Sequence, residues 1–228
     1  MTVSVILVDD HPLVLSGLRG LIQSHPEFHI AGEFVDAEEA LSAIRQHKPA
    51  IAVLDLKIGE DSGLSILKAV VDGGIPTRVV LLAALIRDPE IYAAVEDGVH
   101  GMLLKDWAPD TLIDCLKAVA AGRRWLPDSL VKGPLEREKA RHRLAEDILE
   151  RLTRRELEVA LLIVDGLLAK QVADRLALSE GTVKLHLHAV FKKLGVSKRS
   201  DMVLTLSKIR DRIISRKKIV RLGADSKD

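Results

Sequence analysis

Four charged residues stand where short apolar runs end: the pair Asp9-Asp10 after Val3–Val8, Asp55 after 51–54, and Lys105 after 102–104. If those runs are parallel strands, their carboxyl ends share one edge of a sheet, where three carboxylates and one ammonium converge. Carboxylates that close cannot all stay ionised without a cation, so the group calls for Mg2+. Such a set suits phosphoryl transfer. An aspartate is a weak nucleophile toward phosphorus but is already ionised at neutral pH. A divalent cation neutralises the carboxylates and an incoming phosphoryl group together, and a lysine offsets charge on the phosphoryl oxygens. Asp55, alone at its strand end, suits the nucleophile, and Asp9 and Asp10 suit metal ligation. Any one of these acids alone reads as a strand ending in a loop. The set, on an alternating strand–helix pattern, does not.

A second constellation lies at 179–194. Val183, Leu187, Val190 and Leu194 recur there at helical spacing and make a buried face. Lys184, His188 and Lys192 form a separate i, i+4, i+8 stripe, with Leu185 beside it. An apolar back and a basic front, preceded by a short helix and a tight turn, is what a major-groove reader requires. Lysine meets guanine edges or phosphates, and an exposed leucine touches a thymine methyl. Ser179 is an N-cap that leaves helix N-terminal N–H groups for a phosphate. His186 and His188, two apart, do not share a face and make no metal pair. Taken alone, the basic stripe reads as a solvated surface.

The elements that must position these residues follow from periodicity. Runs with β-branched character at 3–8, 29–34, 51–54, 79–82 and 101–104 read as strands. Helices read at 12–24, 37–46, 64–71 with Gly73-Gly74 as a stop, and 109–121 ending at Gly122. Between the last two, Asp88-Pro89 reads as an N-cap and first-turn proline, with Gly98 closing that helix. A (βα)5 count predicts a flavodoxin-like, doubly wound α/β domain. After Pro127 strand signals cease. Residues 135–151 read as a solvated helical linker, a plain connector with Leu144, Ile148 and Leu152 as a sparse stripe. Helices at 153–165, 168–177, 179–194 and 200–215 then predict an all-α four-helix domain. The expected organisation is 1–122, a linker at 123–150, a helical domain at 151–215 and a polar tail at 216–228.

Composition agrees with two parts meeting different partners. A net charge of +1 hides a split: residues 1–126 hold 11 Lys/Arg against 18 Asp/Glu (−7), and the remainder holds 23 against 15 (+8). A basic half points to nucleic acid. Cys115 is the only cysteine, which excludes an intramolecular disulfide or a CxxC metal site and leaves a core residue. The first apolar run ends in acids, unlike a signal peptide, and the longest apolar run, 79–86, is too short to span a bilayer. These features predict a cytoplasmic protein with no membrane partner.

Residues 1–121 resemble a response-regulator receiver domain, through VDDHPL at 8–13, VLDL at 53–56, Gly63 eight residues past the aspartate, and GMLLKD at 101–106. The resemblance implies phosphorylation of Asp55 by a sensor histidine kinase or by small phosphodonors. It places Asp10 on Mg2+ directly, Asp9 mostly through water, the Lys57 carbonyl as the remaining protein ligand, and Lys105 on the phosphoryl group. Three places depart from the family. Ala83 stands where a Thr or Ser hydroxyl contacts the phosphoryl group, Met102 replaces a switching aromatic, and Ile58-Gly59 replaces Met-Pro. A hydrogen bond to a charged group contributes roughly 1.5–3 kcal/mol, so its loss could weaken on/off coupling about tenfold or more.

The basic half resembles a LuxR-type helix-turn-helix. LTRRELEVALLIVDGL at 152–167 is similar to its opening helix, KQVADRL at 170–176 to its scaffold helix, SEGTVKLHL at 179–187 to its recognition helix, and KKLGVSKRS at 192–200 follows. By position the resemblance turns Lys184, Leu185 and His188 toward bases and sets Thr182, Lys170 and Lys192 near phosphates. Ala169 replaces the usual asparagine. Together the two resemblances give the NarL/FixJ arrangement. They imply a DNA-binding transcription regulator of a two-component system, not an enzyme, acting as a homodimer on paired half-sites of double-stranded DNA. RNA polymerase is a further candidate partner. The last-helix residues from Ser200 to about Ile214, including Val203, Leu204 and Leu206, are candidates for the dimer contact or for plain core. Three alternatives stand beside this reading: a regulator of the same fold that binds DNA independently of phosphorylation, a Mg2+-dependent phosphohydrolase using Asp55, and an adaptor whose basic domain binds protein.

Overall fold

The computed structural model describes residues 2–107 and 109–214. The chain divides into two compact units, one up to Arg137 and one from Glu138 on.

In the first unit, strands β1 (Val3–Val8), β2 (Phe28–Phe34), β3 (Ile51–Asp55), β6 (Arg78–Ala83) and β7 (Gly101–Leu104) form one parallel sheet in the order β2-β1-β3-β6-β7. Helices α1 (Pro12–Gln23), α2 (Ala37–His47), α3 (Gly63–Asp72), α4 (Asp88–Glu96) and α5 (Pro109–Ala120) connect them. Successive side chains point to opposite faces of a strand, and the sequence supplies apolar residues to both. Ile6, Val8, Ala52, Leu54, Leu81 and Met102 pack with α2, α3 and α4. Val5, Leu7, Val53, Val80, Leu82 and Leu103 pack with α1 and α5. A sheet covered on both faces is the expected flavodoxin-like, doubly wound architecture. Strand order reverses between β1 and β3, and the crevice at such a switch point opens at the carboxyl ends of the strands, beside Asp9 and Asp55.

Close packing explains two glycines. A Cβ on Gly101 would lie 2.7 Å from Cys115 Sγ, and Cys115 is fully buried, its thiol pushed up to about 12 by burial. A Cβ on Gly63 would lie 2.3 Å from the Asp55 carbonyl oxygen. A hairpin absent from the strand pattern, β4 (Lys57–Ile58) with β5 (Asp61–Ser62), links β3 to α3.

Two local expectations are corrected. The N-cap of α4 is Arg87, not Asp88, because the Glu90 carboxylate reaches back to accept the Arg87 N–H at 2.7 Å. The linker is not a solvated connector. Helix α6 runs Asp128–Arg151 through Pro134, which lacks an N–H for the helical ladder. On the first unit's side Val131 is buried, with Leu130 and Leu135 packed on the same core. On the second unit's side Ala145, Ile148 and Leu152 are core residues and Leu144 packs against them. The sparse stripe sufficed for burial because both ends of the segment meet apolar surface.

The second unit adds α7 (Arg154–Val164), α8 (Ala169–Leu176), α9 (Glu180–Leu194) and α10 (Arg199–Ser207) around Val159, Val172, Val183, Val190, Met202 and Leu206. The helix expected over 200–215 is broken: α10 stops at Ser207, 208–209 turn, and helical backbone resumes at 210–214. A short-range bond from the Ile209 N–H to the Leu206 carbonyl, at 3.2 Å, tightens that turn, and Ile209 and Ile213 are buried in the core. Residue 215 and the tail at 216–228 lie outside the described residues. Among the described residues no helix is long and apolar enough to cross a membrane.

Glu156 ties this unit together. It completes a capping box with Thr153 at the start of α7, and its Oε2 accepts from Lys193 Nζ of α9 at 2.7 Å. Burial pushes the Glu156 carboxyl up, but Lys193 and the Thr153 bonds outweigh it and hold it below its ordinary 4.5. A carboxyl so depressed contributes stability above its unfolded value, and that contribution drains away as pH falls below about 4.5. Glu156→Ala is expected to destabilise the helical unit by about 1–3 kcal/mol. It should also flatten the acid limb of a denaturation-midpoint profile, and an unchanged limb would count against this assignment.

Candidate functional site

Asp9 ends β1 almost fully buried, with Oδ1 accepting the His11 N–H at 2.9 Å. Its Oδ2 lies 2.6 Å from Lys105 Nζ, and the same ammonium donates to Asp55 Oδ2 at 2.7 Å. Lys105 thus clamps the ends of β1 and β3 from β7. Burial alone would lower its pKa, but the adjacent Asp55 and Asp9 carboxylates raise it above the ordinary value. Asp10 faces outward, and its Oδ2 accepts the Gly59 N–H at 2.9 Å. That bond holds the Asp10 carboxyl below its usual range against a partial burial, with help from His11. The His11 imidazole Nδ1 sits 2.7 Å from Asp10 Oδ1. One ligand atom each from Asp9, Asp10, His11 and Asp55 fall within 4.8 Å of one another.

Asp10, His11, Asp55 and Lys105 open onto a cleft of about 710 Å³ that Lys57, Ala83, Arg87 and Glu90 also line. Ala83 ends β6 and brings no hydroxyl to it. Met102 lies in the core on the α2–α4 side, and its N–H donates to the Trp125 carbonyl at 3.0 Å. Asp9, Asp10, Asp55, Lys57, Ala83 and Lys105 are therefore brought together, and Met102 is set behind them. Sequence reasoning missed His11, Gly59, Arg87 and Glu90. His11 carried a signal, being contiguous with the acidic pair. Gly59 carried one only through the hairpin that places it, with φ +58° in the left-handed region.

In the second unit, Lys184, Leu185, His188 and Lys192 are exposed along α9, Leu185 at 72%. Val183 and Val190 are fully buried, and Leu187 and Leu194 are half-buried against the same core. Among the described residues no carboxylate pairs with Lys184, His188 or Lys192, whereas the adjacent Lys193 is engaged by Glu156. Ser179 Oγ accepts the Thr182 N–H at 3.0 Å and shares a hydrogen bond with the Thr182 hydroxyl at 2.8 Å. Lys170 is exposed at the start of α8. Ala177, with φ 52°, makes the left-handed turn between α8 and α9. An exposed basic helix face behind a tight turn is a surface on which a phosphate backbone can lie.

The response regulator receiver domain matches residues 5–117, and the bacterial regulatory proteins of the luxR family match residues 150–206. A nitrate/nitrite response regulator protein homolog from Haemophilus influenzae is 35% identical over 86% of this chain and 91% of its own. The solved structure of the Salmonella typhimurium RcsB response regulator matches with a TM-score of 0.63 at 25% identity, over 90% of this chain and all of that one. A structure of two RcsB dimers bound to two parallel DNAs matches with a TM-score of 0.58 at 25% identity, over 92% of this chain and all of that one. The family is one of DNA-binding transcription regulators rather than an enzyme class. Neither the site nor these likenesses support the alternative in which DNA binding runs independently of phosphorylation. The chain belongs to the two-component response regulators that join a receiver domain to a LuxR-type DNA-binding domain.

Proposed function

We propose that Asp55 is the phosphoacceptor through which a sensor histidine kinase controls dimerisation and promoter binding. The observation that carries this is the Lys105 clamp, which positions Asp55 at the end of β3 with Asp9 and Asp10 beside it. An Asp55 carboxylate oxygen attacks the phosphorus of a phosphohistidine. The O–P bond forms, the P–N bond breaks, and the imidazole leaves with the electron pair and takes a proton from solvent. The product is an acyl phosphate whose oxygens Lys105 contacts. Asp9, Asp10, Asp55 and the Lys57 carbonyl would hold Mg2+. The carboxylate oxygens of Asp9, Asp10 and Asp55 lie within 4.8 Å of one another and fit that hard cation, and Asp9 Oδ2 and Asp10 Oδ1, which meet Lys105 and His11 only as ion pairs, keep acceptor capacity. When bound, the ion supplies positive charge against the carboxylates and the phosphoryl oxygens.

In this reading residues 1–122 are the receiver, 123–150 the linker and 151–215 the DNA-binding domain, working in the cytoplasm. Lys184, Leu185 and His188 read bases, and Lys170, Thr182 and Lys192 sit on phosphates. A dimer on DNA, as in the structure of RcsB dimers bound to DNA, doubles a small footprint. Leu206 is core, Val203 is half-buried against it, and Leu204, 60% exposed on α10, serves as the dimer contact in this reading. Acetyl phosphate with Mg2+ should add one phosphoryl mass to the wild type and none to Asp55→Asn. An equal gain in Asp55→Asn would place the phosphoacceptor elsewhere. On duplex DNA, Lys192→Ala should weaken binding to all sequences evenly and reduce the slope of log affinity against log salt by about 0.9. A slope unchanged by that substitution would remove Lys192 from the phosphate contacts.

A further inference from the structure

Ala83 leaves one edge of the pocket without the hydroxyl a phosphoryl group would meet, yet a guanidinium lines the same cleft. Arg87 follows Ala83 by four residues, and its side chain, 76% exposed, is held only by Glu90 among the described residues. Arg87 Nε donates to Glu90 Oε1 at 3.0 Å, and Nη2 contacts the same oxygen. Exposed pairs of this kind contribute little. A phosphoryl group with a charge near −1.5 to −2 and three acceptor oxygens is a stronger partner for an Arg fork than one carboxylate. Arg87 is also the N-cap of α4. Its carbonyl accepts the N–H groups of Glu90 and Ile91 at 2.9 and 3.0 Å, so a shift of Arg87 carries the first turn with it. Glu90 Oε2 still takes the Arg87 N–H, and the helix stays capped when the side chain leaves.

The next residue, Asp88, is bound to the linker. Its two carboxylate oxygens accept from Arg137 Nε and Nη2 at 2.6 and 2.8 Å, a bidentate geometry that tolerates little displacement. The stretch leading to Arg137 is anchored again upstream. Trp125 bridges the open edge of β7, donating to the His100 carbonyl at 2.7 Å and accepting from Met102 N–H at 3.0 Å. Between the two anchors Leu130, Val131 and Leu135 lie on the α2–α4 side of the core. The start of α6 is thus strapped to α4, which follows Ala83, and to β7, which holds Met102.

We propose that Arg87 reads the phosphoryl group in place of the hydroxyl missing at Ala83, and that Asp88 relays its movement to α6 by releasing Arg137. This rests on the reading of Asp55 as the phosphoacceptor. Arg87 exchanges Glu90 for phosphoryl oxygens, the first turn of α4 follows, and the Asp88–Arg137 pair opens. The strap then loosens at its far end while the Trp125 bridge holds.

Amide hydrogen exchange at 128–137 in the full chain tests this, with acetyl phosphate and Mg2+ added and phosphoryl occupancy read by intact mass. Phosphorylation should speed exchange there several-fold in the wild type. Arg87→Ala should gain the same phosphoryl mass with no change in exchange. Arg137→Ala should exchange fast before phosphorylation and no faster after it. Arg87→Ala responding like the wild type would overturn the proposal, as would Arg137→Ala keeping wild-type exchange. A phosphorylated wild type whose 128–137 amides do not respond overturns this relay alone. A wild type that gains no phosphoryl mass removes the Asp55 reading, and the relay with it.

Discussion

Lys105→Met is expected to destabilise the receiver by about 2–4 kcal/mol without a divalent cation, and millimolar Mg2+ should recover most of that loss. Lys105 Nζ stands 2.6 Å from Asp9 Oδ2 and 2.7 Å from Asp55 Oδ2, and the two carboxylates are 1% and 7% exposed. Removing the ammonium leaves two buried like charges facing each other. Methionine keeps the length of the side chain but supplies no donor. A cation entering the pocket relieves that repulsion. The deficit should therefore shrink with Mg2+. In the wild type the ammonium competes with the cation for the same oxygens, so Mg2+ should stabilise it less. A charge removed at this distance strengthens cation binding by about tenfold or more at the dielectric of a partly exposed site. Thermal denaturation across a Mg2+ titration measures both parts. Equal Mg2+ stabilisation of the two proteins would mean that Lys105 and the cation do not share these oxygens.

Gly63→Ala should lower the receiver's melting temperature by about 10 °C and slow phosphorylation of Asp55 even where the variant is folded. The added Cβ would meet the Asp55 carbonyl oxygen at 2.3 Å and Leu81 Cδ2 at 3.2 Å. Leucine can give; the peptide of the proposed nucleophile cannot move without carrying Asp55 away from Lys105. Gly63 also donates to the Leu56 carbonyl at 3.0 Å, so α3 cannot withdraw without losing a bond at its start. Overpacking against backbone belongs at the upper end of its usual range, about 3 kcal/mol. A variant with wild-type melting temperature and wild-type phosphorylation rate would show that α3 retreats freely.

Much of this was legible because periodicity and charge placement are local. Strand runs ending in Asp9, Asp55 and Lys105 reported the sheet edge, since a parallel sheet leaves its carboxyl ends together. The basic face of α9 was legible for the same reason, as Val183 and Val190 alternate with Lys184, His188 and Lys192 at helical spacing. What escaped depends on contacts distant in sequence or on competition between caps. Asp88 has the residue type of an N-cap, but the Glu90 carboxylate selects Arg87. The linker's few apolar residues looked solvated because no pattern shows which surfaces await them. The β4–β5 hairpin is two residues a side, below the length at which alternation can be read, yet it delivers the Gly59 N–H to Asp10. Arg87 became visible only when the cleft placed it with Asp55.

Phosphorylation of Asp55 is proposed to gate the DNA-binding domain. Its most direct test is affinity for a selected DNA site at fixed salt, with and without acetyl phosphate plus Mg2+, for the wild type and Asp55→Asn. A tightening of about tenfold or more is expected in the wild type, the range of a coupling energy of about 1–3 kcal/mol, and none in Asp55→Asn. Equal affinity in all four cases, with phosphoryl mass confirmed on the wild type, would contradict it.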